Sequence, residues 1–100
     1  MEQSLNAVIH APNRLQICAF LAPLQEAEFK VLRESLGVSD SVLSKHIRQL
    51  EEAGYVKQRK STVKGRQRTW AYLTDEGRAA FGRHVEALKR IVDSATLVPE

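Results

Sequence analysis

The chain has 100 residues, of which 43% are apolar and 27% are charged, and its net charge at pH 7 is +3. These values are typical of one globular domain with one modest core, and they exclude disordered and fibrous chains. Apolar runs are too short to span a bilayer, no signal peptide is predicted, and the lone Cys18 indicates a reducing cytoplasm without disulfides.

The first quarter of the chain is predicted to be helical. Residues 13–22 are apolar on nearly all sides and stop at Pro23, which indicates a helix buried in the middle of the domain. A short helical turn is expected around residues 5–9. One polar–apolar alternation at residues 24–29 is enough for a stub of strand at most.

Residues 28–53 are predicted to form a helix-turn-helix. Residues 28–36 carry an apolar stripe at helical spacing, and Gly37 follows where a helix C-terminus favours glycine. Ser39 is placed to cap the second helix, with Asp40 in its first turn, where the helix dipole favours an acid. A helix, a tight turn with glycine and a second helix together make the motif.

The second helix of this motif, residues 40–53, has two different faces. Its buried face is formed by Leu43, Ile47 and Leu50, which fall within about 60° of each other at 100° per residue. The opposite face carries short hydroxyl and basic side chains that can approach and hydrogen-bond to base edges or phosphates in a major groove. They are Ser41, Ser44, Lys45 and Arg48. A solvated face of an amphipathic helix is the alternative for this helix alone.

Residues 55–73 are predicted to form a β-hairpin, the wing, whose tip holds Gly65. From Ala53 to Thr74 the chain has no acid, but six cations: Lys57, Arg59, Lys60, Lys64, Arg66 and Arg68. Protection of an edge strand also uses lysines, but it does not predict the exclusion of acids. Binding to phosphates favours that exclusion. The hairpin and the polar helix face together therefore predict nucleic-acid binding.

Residues 75–95 are predicted to form the last helix, with Thr74 as its cap, ending near residues 96–100. It carries a long apolar stripe: Phe81, Val85, Leu88 and Val92. Packing on the first helix of the same chain is the simpler explanation. Because paired half-sites on DNA need two copies, the stripe and the N-terminal arm are predicted to form a two-fold dimer interface.

The segments "LGVSDSVLSKHIRQLEEAGYV" and "YLTDEGRAAF", at this spacing, resemble winged helix-turn-helix transcriptional regulators of the MarR and ArsR type. The resemblance covers about residues 8–92 and is closest to the short single-domain winged-helix group. It implies an α+β fold with a three-helix core, a two- to three-stranded wing and a C-terminal helix, in one domain over residues 1–100. It also implies a dimeric repressor.

Matched position by position, the resemblance places five residues on the helix that enters the major groove: Ser39, Ser41, Ser44, Lys45 and Arg48. It places Arg66 and Arg68 in the wing, on the backbone or minor groove, beside Lys60 and Lys64. The tails are shorter than in larger MarR proteins, the wing "KGRQR" lacks an aspartate, and the helix has no paired cysteines. The sequence therefore identifies no small-molecule or metal effector.

The remaining chemistry-bearing residues do not predict an active site. The three histidines lack ligands at metal spacing, no base–carboxylate pair accompanies a serine, and no cofactor is implied. For His46, contact with a phosphate and partial burial both stay open, whereas Cys18 is expected to be buried and Trp70 and Tyr72 to pack rather than stack on bases. The predicted function is a cytoplasmic, non-enzymatic regulator that binds double-stranded DNA. The alternative is a winged helix used for protein–protein assembly.

Overall fold

The computed structural model describes residues 5–96, with the side chain of residue 96 left out. Within this range the helices and strands are, in chain order, α1 (Ala7–His10), α2 (Pro12–Leu21), β1 (Ala27–Glu28), α3 (Phe29–Leu36), α4 (Asp40–Glu52), β2 (Val56–Val63), β3 (Arg66–Leu73) and α5 (Asp75–Thr96). This order confirms the predicted α+β winged helix-turn-helix fold. The predicted end of the last helix near residues 96–100 lies largely outside the described residues.

The turn between α3 and α4 is made by the residues that the sequence singled out. Gly37 ends α3 with φ +68°, a left-handed conformation that a residue without a Cβ adopts at little cost. Ser39 begins α4, and its Oγ accepts a hydrogen bond of 3.2 Å from the backbone N–H of Val42. Asp40 follows in the first turn of α4, where the helix dipole favours its charge.

Three antiparallel strands form the sheet in the order β1-β3-β2. The short β1 pairs Ala27 with Ala71 of β3, and β2 pairs Val56 with Leu73 at the base of the wing. These four residues are buried, so one sheet face closes the core. Beyond them the two long strands extend into solvent as the wing.

One hydrophobic cluster joins every element, with its largest side chains contributed by α1 to α4: Ile9, Ile17, Leu21, Leu32, Leu43, Ile47 and Leu50. Cys18 lies within this cluster, and burial raises the pKa of its thiol to about 11. The thiolate is therefore strongly disfavoured, and the expected structural role of Cys18 fits its position.

The face of α5 that turns inward differs from the predicted apolar stripe. Ala80, His84 and Ala87 are buried, whereas Phe81, Val85 and Leu88 lie beside that face and are half-buried. Small residues allow α5 to approach the body of the domain closely, which the count of large apolar residues did not predict.

No helix within residues 5–96 is long and apolar enough to cross a membrane.

His84 anchors the N-terminal arm to α5. Its Nδ1 accepts a hydrogen bond of 3.0 Å from the backbone N–H of Asn6, and its Nε2 lies 3.3 Å from Nδ1 of His10. Because Nδ1 accepts, neutral His84 carries its proton on Nε2 and donates it to His10. Burial, followed by the proximity of His10, lowers the pKa of His84. No sequence pattern indicated this contact, which joins residues 78 positions apart.

Candidate nucleic-acid interface

The polar face of α4 lies at the surface, as a groove-reading helix requires. Ser41, Lys45 and Arg48 are exposed, and Ser44 is half-buried on the flank of the helix. Ser39 is exposed at the N-terminal end, where its hydroxyl is 3.2 Å from that of Ser41. The N-terminal half of α4 therefore presents small hydroxyl groups at its tip and two cations one to two turns further on.

One exposed apolar residue interrupts this polar face. Val42 is 37% exposed, although it lies in the first turn and a half of α4, next to Ser41. The apolar spacing of the sequence did not mark it, because it falls outside the stripe of Leu43, Ile47 and Leu50. An exposed branched apolar side chain here can contact the C5-methyl group of thymine, which only the major groove presents.

The two flanks of α4 are attached to different elements. On one flank, Nη1 of Arg14 in α2 donates a hydrogen bond to the side-chain oxygen of Gln49 and lies 3.2 Å from Nδ1 of His46. The side-chain nitrogen of Asn13 lies 3.3 Å from Nε2 of the same histidine. Partial burial, then the nearby Arg14 charge, lowers the pKa of His46. His46 is thus half-buried against α2, the second of the two alternatives that its sequence position allowed.

On the other flank α4 meets the wing. Glu51 accepts a hydrogen bond of 2.8 Å from the Gln58 side chain of β2. This contact orients the wing relative to α4, because it joins the last turn of the helix to the base of the hairpin. The two parts of the predicted interface therefore belong to one connected surface.

The wing turns tightly at its tip. Lys64 and Gly65 have φ values of +52° and +77°, as a two-residue turn between twisted strands requires, and Val63 pairs with Arg66 across it. Lys64, Arg66 and Lys60 are exposed. No ion pair involves these three cations within the described part of the chain. They are available for phosphates.

Two other wing cations are paired with acids from outside the hairpin. Arg59 donates two hydrogen bonds of 3.0 and 2.7 Å to Glu26, and these bonds lower the pKa of the Glu26 carboxyl group. The guanidinium of Arg59 also lies 4.3 Å from the ring centre of Trp70. Arg68 donates to Glu28 at 3.3 Å. The acid-free hairpin thus lies beside acids of the preceding strand segment. The sequence could not indicate this, since 33 and 40 residues separate the partners.

A cleft of about 470 Å³ lies between the helix-turn-helix and the wing. It is lined by the end of β1, the first half of α3, the first residue of α4 and β3, through Glu28, Phe29, Lys30, Arg33, Asp40, Arg66, Gln67, Arg68 and Thr69. Four of these residues are cations and two are acids. Sequence reasoning identified Arg66 and Arg68 here but not Lys30 and Arg33, because it treated α3 only as a packing helix.

The predicted dimer residues divide along α5. Phe81 packs against the core, Val85 and Leu88 are half-buried, and Val92 is 58% exposed. Ile91, which lay outside the predicted stripe, is 54% exposed beside it. The apolar surface of α5 is therefore concentrated in its C-terminal half.

Trp70 does not lie in the core, and Arg59 partly covers it on the outer sheet face. Over residues 5–96, no group of three or more histidine, cysteine or acidic side chains could hold a metal ion.

The profile of the family described as winged helix DNA-binding domain matches residues 13–92. Uncharacterized protein MJ0432 of Methanocaldococcus jannaschii is 40% identical over 72 residues, which cover 72% of this chain and 78% of that protein. The transcriptional regulator homologue protein from Pyrococcus horikoshii OT3 has a similar structure, with a TM-score of 0.84 and 34% identity over 90% of this chain and 89% of that chain. A MarR-family transcriptional regulator from Silicibacter pomeroyi shares the fold, with a TM-score of 0.67 and 22% identity over 94% of this chain and 62% of that chain.

Proposed function

This chain belongs to the family of winged helix DNA-binding domains, and it resembles a transcriptional regulator homologue in structure, so we propose that it is a sequence-specific regulator of transcription. It binds double-stranded DNA as a homodimer in the cytoplasm and acts as a repressor, without catalysis. The observation that carries the proposal is the continuous surface formed by the exposed face of α4 and the cationic wing.

In this proposal α4 enters the major groove. Arg48 reads guanine through its two-pronged guanidinium, and Lys45 contacts bases or phosphates less rigidly. The hydroxyl groups of Ser39, Ser41 and Ser44 hydrogen-bond to base edges or phosphates at the N-terminal end. Their small size brings the backbone of α4 close to the groove floor.

The wing contacts the backbone and the adjacent minor groove. Lys64 at the tip, with Lys60 and Arg66 on the strands, supplies three exposed cations. These cations bind phosphates and therefore add affinity that does not depend on sequence. Arg68 contributes once its partner Glu28 is displaced.

The dimer is formed through α5. The radius of gyration is 15.6 Å and the longest dimension is 60 Å, whereas a compact chain of this length has a radius of gyration of about 13 Å. An elongated molecule with exposed Ile91 and Val92 near the end of α5 is suited to pairing with a second copy. We place Phe81, Val85, Leu88 and Val92 at or beside that interface, as the sequence predicted.

Two copies related by two-fold symmetry would present two α4 helices to half-sites about 34 Å apart, which is one turn of DNA. Occupation of such a site in a promoter is sufficient for repression, since it blocks access by other proteins. The alternative, an assembly module that binds protein, does not account for the exposed cations on both the helix and the wing.

A salt titration of binding to random duplex DNA tests the proposal. We expect affinity to fall by several powers of ten between about 50 and 200 mM salt if six or more phosphates are contacted. Binding that is absent, or that does not change with salt, would contradict DNA binding and favour the assembly module. A homodimer that binds selected duplexes more tightly than random ones would support the remainder of the proposal.

A further inference from the structure

The cleft between the helix-turn-helix and the wing contains two ion pairs. Arg68 of β3 donates to Glu28 at 3.3 Å, and Arg33 of α3 donates to Asp40 at 2.7 Å. Lys30 and Arg66 line the same cleft. Its cations therefore outnumber its acids by two, and two of the cations are already bound to carboxylates.

The position of this cleft determines what it meets in a DNA complex. If α4 enters the major groove and the wing lies on the adjacent minor groove, the sugar-phosphate strand between those grooves must pass between them. The cleft occupies that place, since Asp40 begins α4 and Arg66 and Arg68 belong to the wing. A backbone strand there would lie among four cations and two acids.

We propose that this cleft is a binding site for a phosphate of the DNA backbone. In the free protein the carboxylate of Glu28 binds the Arg68 guanidinium, which the phosphate contacts in the complex. The inference rests on the proposed DNA-binding function and identifies a contact site within it. Binding exchanges the carboxylate of Glu28 for a phosphate on the Arg68 guanidinium. Lys30 and Arg33 of α3 contribute the other cations of this phosphate-binding site.

The chemistry of the two anions permits this exchange. A guanidinium binds a carboxylate and a phosphate through the same planar donors, and phosphate offers more acceptor oxygens. The Arg68 side chain is 44% exposed and the Glu28 side chain is 23% exposed. Ion pairs of such exposure contribute little stability, so exchange costs the fold little. Glu28 left beside the phosphate repels it, and this repulsion limits affinity for DNA of any sequence.

Glu28→Gln tests the exchange, with Glu26→Gln as the matched control. Both variants remove one negative charge and free one arginine, but Glu26 and Arg59 lie outside the cleft. Binding of a labelled random-sequence duplex is measured by fluorescence anisotropy over about 50 to 200 mM salt, and thermal unfolding confirms that each variant is folded.

We expect Glu28→Gln to tighten binding by about fivefold at the lowest salt, because it removes both the carboxylate that competes for Arg68 and a like charge beside the phosphate. The dependence of log K on log salt should become steeper by about 0.9. Glu26→Gln should change affinity by less than about twofold. Equal gains from both variants, or no gain from Glu28→Gln, would overturn the proposed exchange.

Arg68→Ala provides a second test. Alone it should weaken binding, and in its background Glu28→Gln should give a smaller gain than in the wild type, because there is then no Arg68 to release. A gain that is undiminished without Arg68 would overturn the exchange. Failure of the wild-type protein to bind any duplex in a salt-dependent way would instead contradict the proposed function, so the two failures are distinguishable.

Discussion

Two glycines of α5 lie five residues apart, and the same substitution should have opposite effects on them. Gly77 is buried in the first turn of α5, where Thr74 accepts its N–H at 2.9 Å and donates to the carbonyl of Gly54 at 2.6 Å. An added Cβ at Gly77 would lie 2.0 Å from the backbone oxygen of Tyr55. That oxygen also accepts a hydrogen bond of 3.0 Å from the backbone N–H of Thr74.

Gly77→Ala must therefore move α5 about 1 Å away from the base of the wing. Overpacking of this kind costs about 1–3 kcal/mol, and loss of the Thr74 cap costs about 1 kcal/mol more. We expect the free energy of unfolding to fall by about 2–4 kcal/mol, which lowers the midpoint by about 8–30 °C.

Gly82→Ala is the matched control, because Gly82 is exposed and an added Cβ there meets nothing within 4 Å. Alanine in a helix interior is better than glycine by about 1 kcal/mol, so the midpoint should rise by about 4–8 °C. Thermal unfolding followed by circular dichroism measures both variants. An unchanged or raised midpoint for Gly77→Ala would refute the close approach of α5 to Tyr55.

Three further predictions follow from the buried histidine, the reading face and the end of α5. Because the pKa of His84 is lowered in the fold, its stabilising effect is present above the unfolded value of about 6.5 and is lost as pH falls through the folded value. The midpoint of thermal unfolding should therefore decrease as pH falls below about 6.5, and should decrease less in His84→Asn. Replacing thymine by deoxyuridine in a selected duplex should weaken wild-type binding by about threefold or more at the contacted position and should weaken Val42→Ala less, whereas an equal loss in both would exclude a methyl contact by Val42. Ile91→Glu should shift the protein towards monomer in sedimentation velocity and reduce specific affinity; an unchanged dimer would place the interface elsewhere.

The local features of this fold follow from short sequence patterns. The stripe of Leu43, Ile47 and Leu50 predicted which face of α4 is buried, and these three residues are fully buried. The turn at Gly37 and the cap at Ser39 were predicted because their conformational preferences act within a few residues. The predicted resemblance to winged-helix regulators is confirmed by the family match over residues 13–92.

The features that could not be predicted depend on contacts between distant residues. Glu26 and Glu28 read as part of a short strand stub, and only the register of β1 on β3 brings Glu28 beside the wing. His84 stood alone in the sequence, and its role depends on the arm that covers it. The inward face of α5 was not predicted, because small residues such as Ala80 and Ala87 carry a weaker apolar signal than Phe81 or Val85.

The proposed division of roles is that α4 reads bases and the wing binds phosphates. Comparing Arg48→Ala with Lys64→Ala on selected and random duplexes tests it most directly, after the operator has been selected from a random pool. Arg48→Ala should cost about 1–3 kcal/mol on the selected duplex and less on random DNA, whereas Lys64→Ala should weaken both alike and reduce the salt slope by about 1. An unchanged ratio of specific to random affinity in Arg48→Ala would contradict the assignment of α4 as the reading helix.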